Sequence, residues 1–236
     1  MAGRVWDIDL QRTLRHGDAS FTVDLRFHSD ASRIVLHGPS GAGKTQALRM
    51  IAGVARPDRG HVRIAGRTLF DSTRRVDLPP RERHLACVFQ DYALFPHLTV
   101  RQNVAFARRR GWRNPPRDVR DETAERWIRS LHLEAVADQF PHQLSGGQRQ
   151  RTALARALVT QPMALLLDEP FAALDRALRE RLRAELAELQ TQIGLPMLVI
   201  THDEDDLRAL ADEVVHVDAG RIRAHETLPQ LAGASR

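Results

Sequence analysis

The sequence predicts an α/β fold on a mixed sheet, from three features. Near the start, Val5-Trp6-Asp7-Ile8-Asp9-Leu10 and Phe21-Thr22-Val23-Asp24-Leu25-Arg26-Phe27 alternate apolar and polar residues, the period of half-buried antiparallel strands. Later, the apolar runs Leu85-Ala86-Cys87-Val88-Phe89, Met163-Ala164-Leu165-Leu166-Leu167 and Met197-Leu198-Val199-Ile200-Thr201 alternate with helical patterns, which implies a parallel sheet covered on both faces. From Asp91 to about Thr160 the signals are helical. One domain is therefore expected, with residues 1–90 and 161–236 as the sheet-based core and 91–160 as an inserted helical subdomain.

With 236 residues, 42% apolar and 28% charged, the chain has the composition of a globular domain that can bury a good core. No apolar run approaches the roughly 18 residues of a membrane-spanning helix. The opening Met1-Ala2-Gly3-Arg4-Val5-Trp6-Asp7 places an acid where a signal peptide would be apolar, so the expected compartment is the cytoplasm. Cys87 is the single cysteine, which excludes an intrachain disulfide, and its apolar run predicts a buried core position. The formal charge is +5, and every one of the 35 basic residues except Lys44 is arginine. Genomic composition accounts for such a bias, yet the one lysine stands where a compact ammonium is wanted rather than a planar fork. With no other lysine there is no N-K-x-D guanine-recognition sequence, which counts against a GTPase.

Taken in order, the first element after the two alternating segments is the strand Ile34-Val35-Leu36. It leads through Gly38-Pro39-Ser40-Gly41-Ala42-Gly43-Lys44-Thr45-Gln46 into a helix marked by Ala47, Leu48, Met50 and Ile51 and running to about Val54. Strand, glycine-rich turn and helix are the setting in which G-x-x-x-x-G-K-[ST] is a phosphate site. Glycines let backbone N–H groups point inward, and the helix faces them with its positive dipole end. Lys44 adds a mobile charge for the outer phosphates, and the Thr45 hydroxyl can ligate Mg²⁺.

Pro57-Asp58-Arg59-Gly60 is a turn, followed by the strand pair His61-Val62-Arg63-Ile64 and Arg67-Thr68-Leu69-Phe70 about Ala65-Gly66. Leu78-Pro79-Pro80-Arg81 reads as a loop before the strand that ends on Gln90. Residues 119–137 carry Ile128, Leu131, Leu133 and Val136 at helical spacing, and 146–159 carry Ala153, Leu154, Ala157 and Leu158. The run Arg108-Arg109-Arg110-Gly111-Trp112-Arg113-Asn114-Pro115-Pro116-Arg117 reads as a flexible solvated loop from its proline and glycine content. Arginines around a tryptophan also suit nucleic acid or anionic lipid, and the sequence assigns the run to neither. Leu178, Leu182, Leu186 and Leu189 mark a long amphipathic helix, and His202 precedes Asp203-Glu204-Asp205-Asp206.

The candidate polar residues stand at the C-terminal ends of apolar strands: the loop after Leu36, Gln90 after Phe89, Asp168 and Glu169 after Leu167, His202 after Thr201. In a parallel sheet those ends share one edge, where open α/β folds bind ligands. Asp168 can hold Mg²⁺ as the acidic partner of the phosphate loop. Glu169 can accept a proton from an attacking water. Gln90 can contact metal and water, and His202 can donate to a terminal phosphate; singly, each also has the plain reading of a helix-capping or helix-opening residue. Leu144-Ser145-Gly146-Gly147-Gln148 contains a capping box, Ser145 with Gln148, so a helix starts there with its first amides exposed. The residues alone give that terminus no ligand, and an ordinary capped helix satisfies them equally.

Leu144-Ser145-Gly146-Gly147-Gln148, with the phosphate loop before it and Ala164-Leu165-Leu166-Leu167-Asp168-Glu169 after it, resembles the ABC transporter ATPase family. In that likeness Ala173-Leu174-Asp175 is similar to the D-loop, Gln90 to the Q-loop glutamine and His202 to the switch histidine. The resemblance implies a P-loop NTPase fold of ABC type, with a RecA-like core, an antiparallel N-terminal β subdomain and the helical insert. It implies ATP and Mg²⁺ as ligands and a head-to-tail homodimer, with ATP held between the phosphate loop of one subunit and Ser145, Gly146 and Gly147 of the other. Gly41-Ala42-Gly43-Lys44-Thr45, Leu78-Pro79-Pro80-Arg81-Glu82-Arg83 and Val88-Phe89-Gln90-Asp91-Tyr92-Ala93-Leu94-Phe95-Pro96-His97 are most similar to importer ATPases for molybdate and other oxyanions. Importers of sulfate, polyamines and sugars look alike in these stretches. A non-transport ABC protein acting on ribosomes or DNA is the other class; such chains hold two cassettes or a long coiled-coil insert.

The expected partners are membrane permease subunits, met through Tyr92-Ala93-Leu94-Phe95-Pro96-His97-Leu98-Thr99-Val100, and indirectly a periplasmic or surface substrate-binding protein, with no nucleic acid. The chain would then sit on the cytoplasmic face of the membrane. Two departures stand out. Family members carry an aromatic residue upstream of the loop that stacks on adenine; here none lies between Trp6 and Phe21, leaving Arg15 or His16 to take its place. Many also carry a C-terminal regulatory domain, which is not expected after Gly220-Arg221-Ile222.

Overall fold

Period-two alternation becomes a long hairpin in the computed structural model, which describes residues 4–17, 19–109, 113–172 and 174–228, the side chain of His16 excepted. Strand β1 (Trp6–His16) pairs antiparallel with β2 (Ala19–Ser29), in unbroken register from Trp6 opposite Ser29 to His16 opposite Ala19. Trp6, Ile8, Leu10, Val23, Leu25 and Phe27 fill one buried face. Successive side chains point to opposite faces, so the intervening polar residues take the other. Then β3 (Arg33–His37) leads into α1 (Lys44–Ala52). The antiparallel part is completed by β4 (Arg59–Ile64) on the free edge of β1, followed by β5 (Arg67–Asp71) and β6 (Val76–Asp77).

The second half of the chain builds the parallel part. Elements α2 (Pro80–Arg83) and β7 (Leu85–Val88) precede the helical region, which comprises α3 (Val100–Phe106), α4 (Glu122–Ser130) and α5 (Gly146–Leu158). After it come β8 (Ala164–Asp168), α6 (Arg176–Ile193), β9 (Met197–Thr201), α7 (Glu204–Leu210), β10 (Glu213–Asp218) and β11 (Arg221–Thr227). All strands join one sheet in the order β6-β5-β4-β1-β2-β11-β10-β3-β9-β8-β7. The antiparallel part is therefore continuous with the parallel one, and the register at the join is the single pair Arg221 opposite Asp24.

Strands β8 and β9 are buried at every position, as expected when both faces are covered. Alternate residues serve two cores. Leu166, Leu198, Ile200, Ile34 and Leu36 meet α1 and the β1–β2 hairpin, while Leu165, Leu167, Val199 and Val35 meet the helical region and α6.

Several sequence expectations are corrected. The helical pattern at 119–137 resolves into α4 and a single 3₁₀ turn, Glu134–Val136. Strands β10 and β11 carry no alternating signal that the sequence reading recognised; β11 is almost entirely exposed. Cys87 is half-buried rather than fully buried, and desolvation pushes its thiol up to about 12, which leaves it a poor nucleophile.

The expected loop at Leu78-Pro79-Pro80-Arg81 is instead the start of α2, with Pro80 at the first helical position, where its missing N–H costs nothing. Arg83, the last residue of α2, is fully buried. Its guanidinium donates to the carbonyls of Met50 (2.9 Å) and Ile51 (2.8 Å) at the C-terminal end of α1, and to Leu78 (2.8 Å). A further bond of 3.2 Å reaches the Asp77 carboxylate. A cation at that end also complements the helix dipole. Gly53 caps α1 at φ 80°, and a Cβ there would lie 2.4 Å from Arg83 Nε, so both position and conformation require glycine. Arg83→Met strands the three carbonyl acceptors, while the exposed Asp77 carboxylate keeps Arg56 at 3.2 Å, and is expected to cost about 3–5 kcal/mol in urea unfolding. A cost below ~1 kcal/mol would show that other groups satisfy them.

Candidate functional site

The loop that leaves β3 is shaped by its glycines. Gly38 sits where a Cβ would be 2.0 Å from the Val217 carbonyl oxygen of β10, so the backbones can approach this closely only with glycine. Gly41 and Gly43 adopt φ of 80° and 95°, in the left-handed region. Gly43 is also the N-cap of α1 and brings no side chain to cap it, which leaves the first-turn amides to the loop. Ala42 is buried, and its N–H donates to Pro39 O. Pro39 and Ser40 are exposed.

Lys44 is 5% exposed and points back along the loop, with Nζ donating to Gly38 O (2.6 Å) and Pro39 O (2.9 Å). Burial pulls its pKa down, and the nearby charges of Glu169 and Asp168 oppose that shift. Next to it, Thr45 Oγ1 donates to Asp168 Oδ1 at 3.1 Å. Asp168 is the last residue of β8 rather than the first beyond it. Its carboxyl is raised above the usual range, mainly by burial, with the Thr45 hydroxyl opposing and the Glu169 charge adding.

Glu169 follows with φ 47°, a left-handed conformation that a non-glycine residue keeps only when its surroundings impose it. Its N–H donates to Ile200 O at 2.9 Å, which ties it to β9. Its Oε1 lies 2.8 Å from Nδ1 of His202, just past β9. His202 does not cap the following helix; Asp203 does, accepting from Asp205 N and Asp206 N.

A cleft of about 1070 Å³ is lined by Thr45, Gln46, Phe89, Gln90 and Asp168, with Arg12, Leu14, Arg49 and Arg56 among its other walls. A smaller one of about 350 Å³ is lined by Phe21, residues 40–46 and Glu169. Residues 38–46, Gln90, Asp168, Glu169 and His202 are thus brought to the carboxyl ends of the neighbouring strands β3, β9, β8 and β7.

Residues 145–148 are not brought there. Ser145 caps α5, accepting from Gln148 N at 3.3 Å, while Gln148 Oε1 accepts from Ser145 N at 2.8 Å, which is the capping box the spacing predicts. None of Ser145, Gly146, Gly147 and Gln148 lines either cleft. The two glycines have an internal reason: a Cβ on Gly146 would be 2.8 Å from Leu174, and one on Gly147 3.2 Å from Leu178. Of Ala173-Leu174-Asp175, Ala173 lies outside the described residues, Leu174 is buried, and Asp175 caps α6.

The apolar residues of 92–100 turn largely inward. Tyr92 and Leu98 are buried, Leu94 packs on the core, and Phe95 meets Phe106 with centroids 4.6 Å apart. Fully buried Asn103 staples this segment, accepting from Phe95 N and donating to the carbonyls of Phe95, Leu98 and Thr99. Arg156 donates to the carbonyls of Tyr92 and Ala93, both in left-handed conformations. Sequence reasoning missed Asn103 and Arg156, and also Arg12, Arg49 and Arg56 at the larger cleft; in a chain this rich in arginine no single one gives a signal. Of the run 108–117, expected as a flexible loop, Arg108 bonds to Asp121 and Arg117 lies over Phe140, while residues 110–112 lie outside the described residues.

Among the described residues no group of three His, Cys, Asp or Glu is arranged to hold a metal, so an all-protein cage is not available. A hydroxyl and one carboxylate beside phosphate oxygens are a donor set that suits Mg²⁺, and Thr45 and Asp168, 3.1 Å apart, are groups of that chemistry that could hold it. No helix among the described residues is long and apolar enough to cross a membrane.

Comparison with known proteins gives four likenesses. Residues 22–172 match the family model described as ABC transporter. The chain is 40% identical over 227 residues to the molybdenum import ATP-binding protein ModC of Paramagnetospirillum magneticum, covering 96% of this chain and 60% of that protein. It is 46% identical over 192 residues to the spermidine/putrescine import ATP-binding protein PotA of Nitratidesulfovibrio vulgaris, covering 80% of this chain and 49% of that one. It therefore spans only about half to three-fifths of these relatives. Among solved structures, a dimeric ATP-binding cassette in a post-hydrolysis state, bound to ADP and Pi, superposes with a TM-score of 0.77 at 27% identity, covering 96% of this chain and 99% of that one. The fold is accordingly that of the ATP-binding cassettes, an α/β P-loop type with a mixed sheet.

Proposed function

This chain belongs to the ABC transporter family, and from that membership we propose that it is the ATP-hydrolysing subunit of an importer for molybdate or a related oxyanion. The observation that carries hydrolysis is the meeting, at one sheet edge, of the Lys44 loop, the Thr45–Asp168 bond and the Glu169–His202 pair. Loop amides and the Lys44 ammonium bind the phosphates of ATP. Thr45, Asp168 and Gln90 would hold Mg²⁺, which when bound would supply neutralisation of phosphate charge. Glu169 takes the proton of the attacking water, with His202 orienting its carboxylate and donating to the terminal phosphate. Gly38, Pro39, Ser40, Gly41, Ala42, Gly43 and Gln46 shape the cradle around the phosphates.

In this reading 91–160 is the helical subdomain of the cassette. Ser145, Gly146, Gly147 and Gln148, remote from their own loop, serve the nucleotide of a second copy in a head-to-tail dimer; a dimeric cassette with ADP and Pi among the structural likenesses supports this. The cargo rests on the similarity to a molybdenum importer over nearly the whole chain. The polyamine importer relative, more identical over a shorter stretch, favours the alternative of another importer cargo. Purified with its permease in vesicles, the protein is expected to hydrolyse MgATP faster when a molybdate-loaded binding protein is added. Stimulation by a spermidine-loaded one alone would reverse the cargo assignment.

The permease is met through the exposed part of residues 92–100, namely Ala93, Pro96 and His97, beside Gln90. That places the chain peripherally on the cytoplasmic face of the membrane. Cysteines at those three positions are expected to cross-link to permease cysteines, against a low background because Cys87 is a poor thiolate. Absence of cross-links at all three would leave this segment to internal packing.

A further inference from the structure

The side chain of His202 is 57% exposed, so packing does little to hold its ring against Glu169 Oε1, 2.8 Å from Nδ1. The ring takes its place from the backbone of its turn, and both flanking residues are fixed. Before it, Thr201 ends β9 and is fully buried. Its Oγ1 donates to Asp206 Oδ2 at 2.8 Å and accepts from Asp203 N at 3.0 Å. After it, Asp203 caps α7 through Oδ1, while Oδ2 accepts from Arg179 Nη1 at 2.8 Å. The same guanidinium donates through Nη2 to Leu174 O at 3.2 Å. One residue of α6 thus ties the His202 turn to the residue preceding the α6 cap, against which Gly146 packs.

Stability does not account for Arg179. The anchor between α6 and α7 is Arg183, one turn further on, which meets buried Asp206 through Nε at 2.8 Å and Nη2 at 2.6 Å. Arg179 and Asp203 are 30% and 24% exposed, and an ion pair so open to solvent contributes little. The Nε of Arg179 is moreover buried with no hydrogen-bond partner, which is a cost. We propose that Arg179 is a positioning residue for hydrolysis: by bridging Asp203 and Leu174 O it holds the His202 turn where the imidazole meets Glu169. The proposal rests on the reading above that Glu169 and His202 act on the attacking water and the terminal phosphate. That chemistry depends on placement, and a displacement of about 1 Å can cost ~10²-fold in rate. Lys44 and Thr45 lie on α1, outside this network, so nucleotide affinity does not depend on Arg179.

The test compares MgATP hydrolysis and binding in the wild type, Arg179→Met, His202→Ala and the double variant, with thermal unfolding as a check on folding. Arg179→Met is expected to lower kcat by about 10–10²-fold with near-native affinity. Asp203→Asn, which keeps the cap of α7 and weakens the bond to Arg179, lowers kcat in smaller measure. Arg176→Met, at the same end of α6 but exposed and paired with Glu180, changes nothing. In the His202→Ala background Arg179→Met lowers kcat no further, because the ring it acts through is gone. A second readout needs no turnover: the NMR resonance of the His202 ring, identified by its absence from His202→Ala. In Arg179→Met it shifts toward the position it takes in Glu169→Ala, where the pair is broken. Unchanged kcat in Arg179→Met or Asp203→Asn, an equal fractional loss in both backgrounds, a loss of affinity in place of kcat, or a ring resonance left at its native position would each overturn the proposal. Native turnover in His202→Ala would instead overturn the reading that His202 serves hydrolysis.

Discussion

Glu169→Gln is expected to slow MgATP turnover by ~10²–10⁴-fold while leaving nucleotide binding intact. Phosphoryl transfer to water needs the nucleophile placed in line and its proton accepted, while the charge that develops is stabilised by fixed groups. The substitution keeps the shape and the hydrogen-bonding reach toward His202 Nδ1, 2.8 Å away in the native pair, and removes only the basic oxygen. The left-handed backbone at φ 47° and the bond to Ile200 O do not depend on the side chain's charge, so the segment should remain in place. Lys44, Thr45, Asp168 and Ser145 are untouched, so ATP should bind and persist. Nucleotide shared between two copies then holds them together by mass action. Size-exclusion chromatography with and without MgATP, beside the hydrolysis rate, reads both consequences. Near-native hydrolysis would refute Glu169 as the base. Slow hydrolysis with ATP bound to a lasting monomer would keep the base and reject the shared site.

Lys44→Ala should lower kcat/KM for MgATP by about 10²–10³-fold, the scale of losing one fixed electrostatic partner of the transition state. The fold should survive for a local reason. Lys44 is the first residue of α1, where alanine is the best helix former, and the substitution removes a charge whose burial is unfavourable. The losses are confined to the bonds from Nζ to Gly38 O and Pro39 O. Lys44→Arg is expected to fail as well. A planar fork does not fit a position 5% exposed and set against two carbonyls at 2.6 and 2.9 Å. Circular dichroism melting beside steady-state kinetics separates folding from turnover, and wild-type turnover in Lys44→Ala would remove the foundation of the functional reading.

Much of the sheet and the gathering of Lys44, Thr45, Gln90, Asp168, Glu169 and His202 at one edge were legible in the sequence. The reason is covalent: a strand fixes where the next residue emerges, and apolar strands that run parallel put their exits side by side. Alternation in 6–29 and unbroken apolar runs at 164–167 and 197–200 likewise report burial on one face or on two, independent of what covers them. Phosphate-loop conformation is local too, because its positive φ angles lie at glycines.

Only the tertiary structure decided which long-range neighbours those elements have. It showed that Ser145 lines neither cleft beside the phosphate loop and that Gly146 and Gly147 let α5 pack on Leu174 and Leu178. It turned the apolar residues at 92–98 mostly into core, pinned by Asn103, although their pattern reads equally well as a docking surface. It made Arg83 the cap of α1 and set Phe21 and Leu14 beside the first turn of that helix. A buried arginine and an exposed one have the same signature in a chain whose bases are nearly all arginine, and an apolar cluster is silent about its partner. Strand exits follow from local chemistry; what packs against them depends on the path of residues far away in the chain.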